Sequence, residues 1–236
     1  MIIERTEAAT GSRIGADGLM TEIAMLDILQ DTEAIGARSD LDFWGFFDRT
    51  DCMMVIVARY VQFLNRPKYG EKLLCRTMPY ANSVRYGSRY AELLDGEGNR
   101  LACGWLTALY VNWRTLKPVR VPQNLVDGVE LYTPPVWKDW DRRVSAEPSL
   151  LTERGRFNVK RFDLDMFGHM NNVRHIEHAF DYLPEDAHPK ALRIEYKNAA
   201  PPNAVVKAKT AVVNGKTYVL LESAGGEIYS VTEFTL

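Results

Sequence analysis

Weak alternation of apolar and polar residues after Ile2-Ile3 predicts a strand over residues 1–10. Gly11, Gly15 and Gly18 then punctuate a loop. From Leu19 to Ala37 the apolar residues Ile23, Ala24, Met25, Leu26, Ile28 and Leu29 cover nearly the whole circumference of a helix. Such a helix must be wrapped by something else. Gly36 is expected to end it. Residues 38–51 read as a loop rich in aromatics, Phe43, Trp44, Phe46 and Phe47, packed over an edge or a pocket mouth.

Strand patterns follow at Met53–Asn65, Glu71–Thr77, Arg85–Leu94 and Leu101–Trp113. Pro67-Lys68-Tyr69-Gly70 turns the chain so that the second of these pairs back on the first, and Asp95-Gly96-Glu97-Gly98 is a hairpin turn. The expected product is one long helix and a four-stranded antiparallel meander. Prolines 118, 122, 134, 135 and 148 break residues 114–150 into a connector, with a short helix near Gln123–Val126.

The pattern then recurs. Thr152–Arg161 reads as a strand, Val173–Leu183 as a helix stopped by Pro184, and Ala191–Asn198, Val205–Val213, Lys216–Ala224 and Glu227–Leu236 as strands. Asn214-Gly215 and Gly225-Gly226 mark hairpins. The run Ile14 to Glu22 falls on Leu164 to Asn172, and continuing it Leu26 meets Ile176 and Asp31 meets Asp181. Further on, Arg59 aligns with Arg193 and Pro67 with Pro201. The agreement in element order points to an internal duplication. A strand, a buried helix and a curved antiparallel sheet is the order of a hotdog unit, and two such units in one chain would pair internally. The predicted class is therefore α+β, a tandem (double) hotdog in which each unit wraps a curved antiparallel sheet around a long central helix. Its parts are residues 1–122, a Pro-rich connector at 123–150, and residues 151–236.

Composition narrows the function. With 46% hydrophobic residues, 25% charged residues and a net charge of −2, the chain suits a globular protein and lacks the basic excess of a general nucleic-acid binder. No run reaches the roughly 20 apolar residues of a membrane span. The N-terminus shows no signal peptide. Cys52, Cys75 and Cys103 form no C-x-x-C pair, which speaks against a disulfide framework or a zinc site and for a reducing cytoplasm. No acid and histidine spacing calls for a metal, and no cofactor is expected.

One stretch concentrates chemistry: Arg161-Phe162-Asp163-Leu164-Asp165-Met166-Phe167-Gly168-His169-Met170-Asn171-Asn172. It precedes a helix, where free N–H groups and the positive end of the dipole collect. The first copy has Leu19 in place of His169 and Thr21-Glu22 in place of Asn171-Asn172, so a single active site is expected. Asn171 or Asn172 is the N-cap candidate. Asp163 reads as structural, and His175 and His178 as solvated or packing residues.

With Asp163-Leu164-Asp165…His169-Met170-Asn171-Asn172-Val173, Ile194-Glu195-Tyr196, Arg59-Tyr60-Val61…Pro67-Lys68-Tyr69-Gly70-Glu71 and Lys117-Pro118-Val119-Arg120-Val121-Pro122, the chain resembles the bacterial branch of acyl-acyl carrier protein thioesterases, double-hotdog enzymes. The polar stretch is also similar to that of single-hotdog acyl-CoA thioesterases. The resemblance implies hydrolysis of a fatty-acyl thioester carried by acyl carrier protein. It implies Asp165 as base or nucleophile, His169 and Asn171 as partners, Glu195 as a secondary carboxylate, and Gly168 and Asn172 at the substrate. It also implies an acyl-chain pocket in the first half, lined by residues such as Met25 and Leu29. Plant members place Asn where this chain has Phe167, and an acidic residue and Cys where it has Ala199 and Ala200. The second half contains no cysteine, so a cysteine nucleophile is excluded. The alternatives are an acyl-CoA thioesterase and a non-catalytic acyl-binding hotdog. An acidic carrier protein would dock on a basic run, Arg114, Lys117 and Arg120 or Arg154, Arg156, Lys160 and Arg161. The assembly would be a monomeric pseudo-dimer or a homodimer.

Overall fold

A computed structural model describes residues 1–236. The chain forms two compact units, Met1–Val57 with Val61–Trp140, and Ala58–Tyr60 with Asp141–Leu236.

The first unit contains β1 (Ile3–Ala8), α1 (Glu22–Arg38), α2 (Leu41–Arg49), β2 (Cys52–Phe63), β3 (Lys72–Asn82), β4 (Tyr86–Asp95), β5 (Arg100–Asn112) and α3 (Gln123–Gly128). Thr21 starts α1, its hydroxyl accepting the Ala24 N–H. Met25, Leu26, Ile28 and Leu29 are buried, and the helix lies on β1, β3 and β4.

Three expectations are corrected. Gly36 lies inside α1 and does not end it. A Cβ there would stand 2.5 Å from an Arg89 guanidinium nitrogen and 2.7 Å from the Thr77 methyl, so the glycine serves close packing on the sheet. Residues 41–49 are a helix and not a loop. Asp40 caps it by accepting the Phe43 N–H, and Phe43 and Phe47, one turn apart, are buried against Tyr110 and Val121. The strands do not form a meander either, since their order is β1-β3-β4-β5-β2. β3 pairs with β1 and β4. The turn before it is held by the loop after β1: Gly70 N–H donates to Ala9 and Met20 N–H to Pro67, which draws the chain away from a β2–β3 hairpin.

The second unit contains β6 (Thr152–Asn158), α4 (Asn172–Phe180), β7 (Ala191–Tyr196), β8 (Val205–Val213), β9 (Lys216–Ser223) and β10 (Ile228–Thr235), with strand order β7-β10-β9-β8-β6. β10 pairs with β7 and β9, and β8 with β9 and β6, all antiparallel. α4 buries Val173, Ile176 and Ala179 and packs on β9 and β10.

A buried carboxylate at the centre of a hydrogen-bonded cluster ties strands together in each unit. Glu92 accepts from Arg76, Arg100 and the Tyr90 hydroxyl; Glu233 accepts from Arg193, Lys216 and the Tyr218 hydroxyl. Burial alone would raise the Glu233 pKa, but these hydrogen bonds outweigh it and bring it down to about 2. No helix is long and apolar enough to cross a membrane.

Candidate active site

The polar cluster occupies a cassette that both units build alike. A short 3-10 turn, Gly11–Arg13 or Arg161–Asp163, leads into a backbone bridge, Ile14 with Met20 or Leu164 with Met170. A glycine at positive φ lies four residues after the bridge's first residue, Gly18 at 80° and Gly168 at 77°. The Gly15 N–H reaches the Leu19 carbonyl at 2.7 Å, and the Asp165 N–H reaches the His169 carbonyl at 2.7 Å. Thr21 and Asn171 then take the N-cap positions of α1 and α4. The residue correspondence read from the sequence holds through this cassette.

Beyond the helix it slips by one. Met20 N–H donates to the Pro67 carbonyl, and Met170 N–H to that of Ala200; Ala9 N–H donates to Glu71, and Val159 N–H to Ala204. Pro67 therefore matches Ala200 and not Pro201, and Arg59 matches Leu192 and not Arg193. The alignment by identical letters fails because strand equivalence follows the alternation of faces, which pairs the fully buried Val61 with the fully buried Ile194.

This register shows what distinguishes the two cassettes. In the first, Arg66 fills the helix start: it binds the Met20 carbonyl at 2.8 Å and Asp17 at 2.6 Å, and lies 3.6 Å from Glu22. In the second, the matching positions are Ala199, Phe167 and Asn172. The cation and both carboxylates are absent, and the start of α4 is not plugged from its own unit.

Asp165 Oδ1 accepts the Phe167 N–H at 2.9 Å and the His169 N–H at 3.1 Å, an Asx turn. Its Oδ2 makes no hydrogen bond, so one oxygen fixes the turn and the other stays available. The half-buried side chains of His169 and Asn172 make no hydrogen bonds and are available too. Asn171 is the cap, its Oδ1 accepting the Val173 N–H at 2.8 Å. The structure thus brings Asp165, Gly168, His169, Asn171 and Asn172 together in one turn and helix start.

Supporting groups hold this arrangement, and sequence reasoning identified only part of them. Asp163 is structural, as expected: one oxygen accepts the Lys160 N–H at 2.6 Å, the other meets His178 Nε2 at 3.1 Å, and its carbonyl accepts the Asn171 N–H at 2.7 Å. His178 also stacks on Phe157 with ring centroids 3.9 Å apart. Of the two readings for His175, packing holds: it is 3% exposed and bonds Ser230 at 3.1 Å. Burial, with neighbouring His178, brings its pKa down to about 4. Tyr196 was missed; its hydroxyl donates to the Asn172 carbonyl at 2.9 Å and pins the start of α4 to β7. Only the alternation of β7 could have signalled it, because Ile194 and Tyr196 share the face toward α4.

That alternation sends Glu195 to the other face. There it accepts the Val144 N–H at 3.0 Å and pairs with Lys197 at 3.0 Å, apart from the cluster. Met25 and Leu29 belong to the first unit and are fully buried in α1. No group of three His, Cys, Asp or Glu side chains is placed to hold a metal ion.

Residues 148–229 match the family model of the acyl-ACP thioesterase C-terminal domain. Over those residues the chain is similar to acyl-ACP thioesterases. The matched region contains the whole second cassette, and the match indicates a thioester hydrolase. The fold agrees. An acyl-ACP thioesterase from Bacteroides thetaiotaomicron is similar with a TM-score of 0.86 at 17% identity, covering 99% of this chain and 97% of that one. The 12:0-ACP thioesterase from Umbellularia californica is similar with a TM-score of 0.87 at 20% identity, covering 99% and 96%. No curated protein matches the chain in sequence.

Proposed function

We propose that this protein is a double-hotdog thioesterase that hydrolyses fatty-acyl thioesters of acyl carrier protein at the start of α4. The observation that carries the proposal is the contrast between the cassettes: one backbone occurs twice, plugged by Arg66 in one unit and left with Asp165 Oδ2, His169 and Asn172 available in the other.

In this mechanism Asp165 Oδ2 takes a proton from a water molecule as the water oxygen attacks the thioester carbonyl carbon. His169 orients the water or the carbonyl. The Asn172 N–H, at the positive end of the α4 dipole, donates to the developing oxyanion, and the side chain of Asn172 lies beside it. Gly168 lets the thioester approach the backbone. Collapse of the tetrahedral intermediate breaks the carbon–sulfur bond, and the thiolate leaves with the proton that Asp165 took up. The products are a free fatty acid and the carrier's thiol. Asn171 acts as the cap that sets the helix start. Residues 1–122, with Met25 and Leu29 in α1, supply the acyl-chain pocket; residues 123–150 connect them to the catalytic residues 151–236. The placement of Glu195 supports a structural part for it.

Asp165→Asn tests the assignment cleanly. Its Oδ1 can still accept the two turn N–H groups, so the fold is expected to persist. The kcat on an acyl carrier protein thioester is expected to fall by about 100-fold or more, with KM little changed. Hydrolysis near the wild-type rate would remove Asp165 from the mechanism.

A further inference from the structure

The second cassette displays a surface that its own backbone does not require. Phe162 is 92% exposed, Met166 88% and Phe167 56%. The first cassette presents Ser12, Ala16 and Asp17 at the corresponding positions. Lys160 and Arg161, also exposed, replace Thr10 and Gly11, and neither forms an ion pair. Three large apolar side chains and two unpaired cations thus stand on the turns that lead into the open helix start. The plugged cassette has none of them. Exposing such side chains to water is unfavourable, so their restriction to one of two cassettes of like backbone points to an occupant.

We infer that Phe162, Met166 and Phe167, flanked by Lys160 and Arg161, form the docking surface for the acidic carrier protein that delivers the thioester. This rests on the reading of the α4 start as the hydrolytic site. Charge complementarity favours this occupant: an acidic surface with an apolar patch would pair its carboxylates with Lys160 and Arg161 and cover Phe162 and Met166. The alternative, an anionic membrane surface, calls for a cluster of roughly four to eight cations, and this patch has two. Position agrees as well, because these side chains stand on the turns that carry Asp165–Asn172.

Binding separates docking from catalysis. A fluorescent acyl carrier protein bearing a non-hydrolysable acyl amide is titrated with the full chain. It is then titrated with Phe162→Ser/Met166→Ala, which installs the residues of the first cassette, and with Lys160→Glu/Arg161→Glu. Each double variant is expected to keep its melting temperature and its kcat/KM on a free acyl-pantetheine thioester, and to raise the carrier's Kd tenfold or more. An unchanged Kd in both variants overturns the docking surface, as does a wild type that does not bind the carrier. So does loss of binding to phosphatidylglycerol-containing vesicles with the carrier's Kd unmoved, which makes the membrane the occupant. A wild type that binds the carrier through these residues yet hydrolyses no thioester overturns the catalytic reading and leaves the docking surface standing.

Discussion

Asp165 illustrates how one carboxylate can serve structure and chemistry through different oxygens. Its Oδ1 is spent on two backbone N–H groups, while Oδ2 remains available. A residue's neighbours in sequence were enough to single out Asp165, His169 and the two asparagines, because a turn followed by a helix start keeps them local. Tyr196 and Ser230 escaped, since their contacts with Asn172 and His175 span dozens of residues and depend on strand faces. His175 carries a consequence for acid stability. Its folded pKa of about 4 lies below its usual 6.5 because burial disfavours the imidazolium. The unfolded chain then binds the proton more readily between these values. Stability from this group is complete above pH 6.5 and is lost as pH falls toward 4, by about 3 kcal/mol in all. His175→Gln is expected to flatten that part of the curve of melting temperature against pH, at the cost of lower stability at neutral pH.

At the level of elements, the hydrophobic periods located most of the helices and strands. They failed where two uses of one residue type compete. Gly36 looked like a helix stop, yet it is a close-packing site under Arg89 and Thr77. Phe43 and Phe47 looked like loop aromatics, yet with Asp40 as cap they form the buried stripe of α2. Strand partners were the least legible, because the β1–α1 loop captures the segment before β3 through backbone bonds that leave no mark in composition. The Arg66 plug makes a prediction at this scale. Ala199 is exposed, so an arginine there has room to reach the His169 and Met170 carbonyls as Arg66 reaches Leu19 and Met20. Ala199→Arg is expected to lower kcat/KM at least tenfold while the melting temperature holds or rises, and adding Asn172→Glu should deepen the loss. Activity unchanged in the double variant would mean that substrate does not use the start of α4.

For the whole molecule, the repeat of the turn before each helix was legible because both copies keep a positive-φ glycine three residues before a polar N-cap. Its extent past the helix was not, since a one-residue slip preserves similar letters while exchanging the faces of a strand. The retained plug has a further consequence. In the first unit the helix start is satisfied from within, by the Arg66 side chain. In the second, part of that demand is left to whatever visits. Ligand should therefore slow amide hydrogen exchange around Asp165–Asn172 while the same amides around Gly15–Glu22 stay as they were. Every molecule carries an internal reference of like backbone shape, against which occupancy of the site can be read.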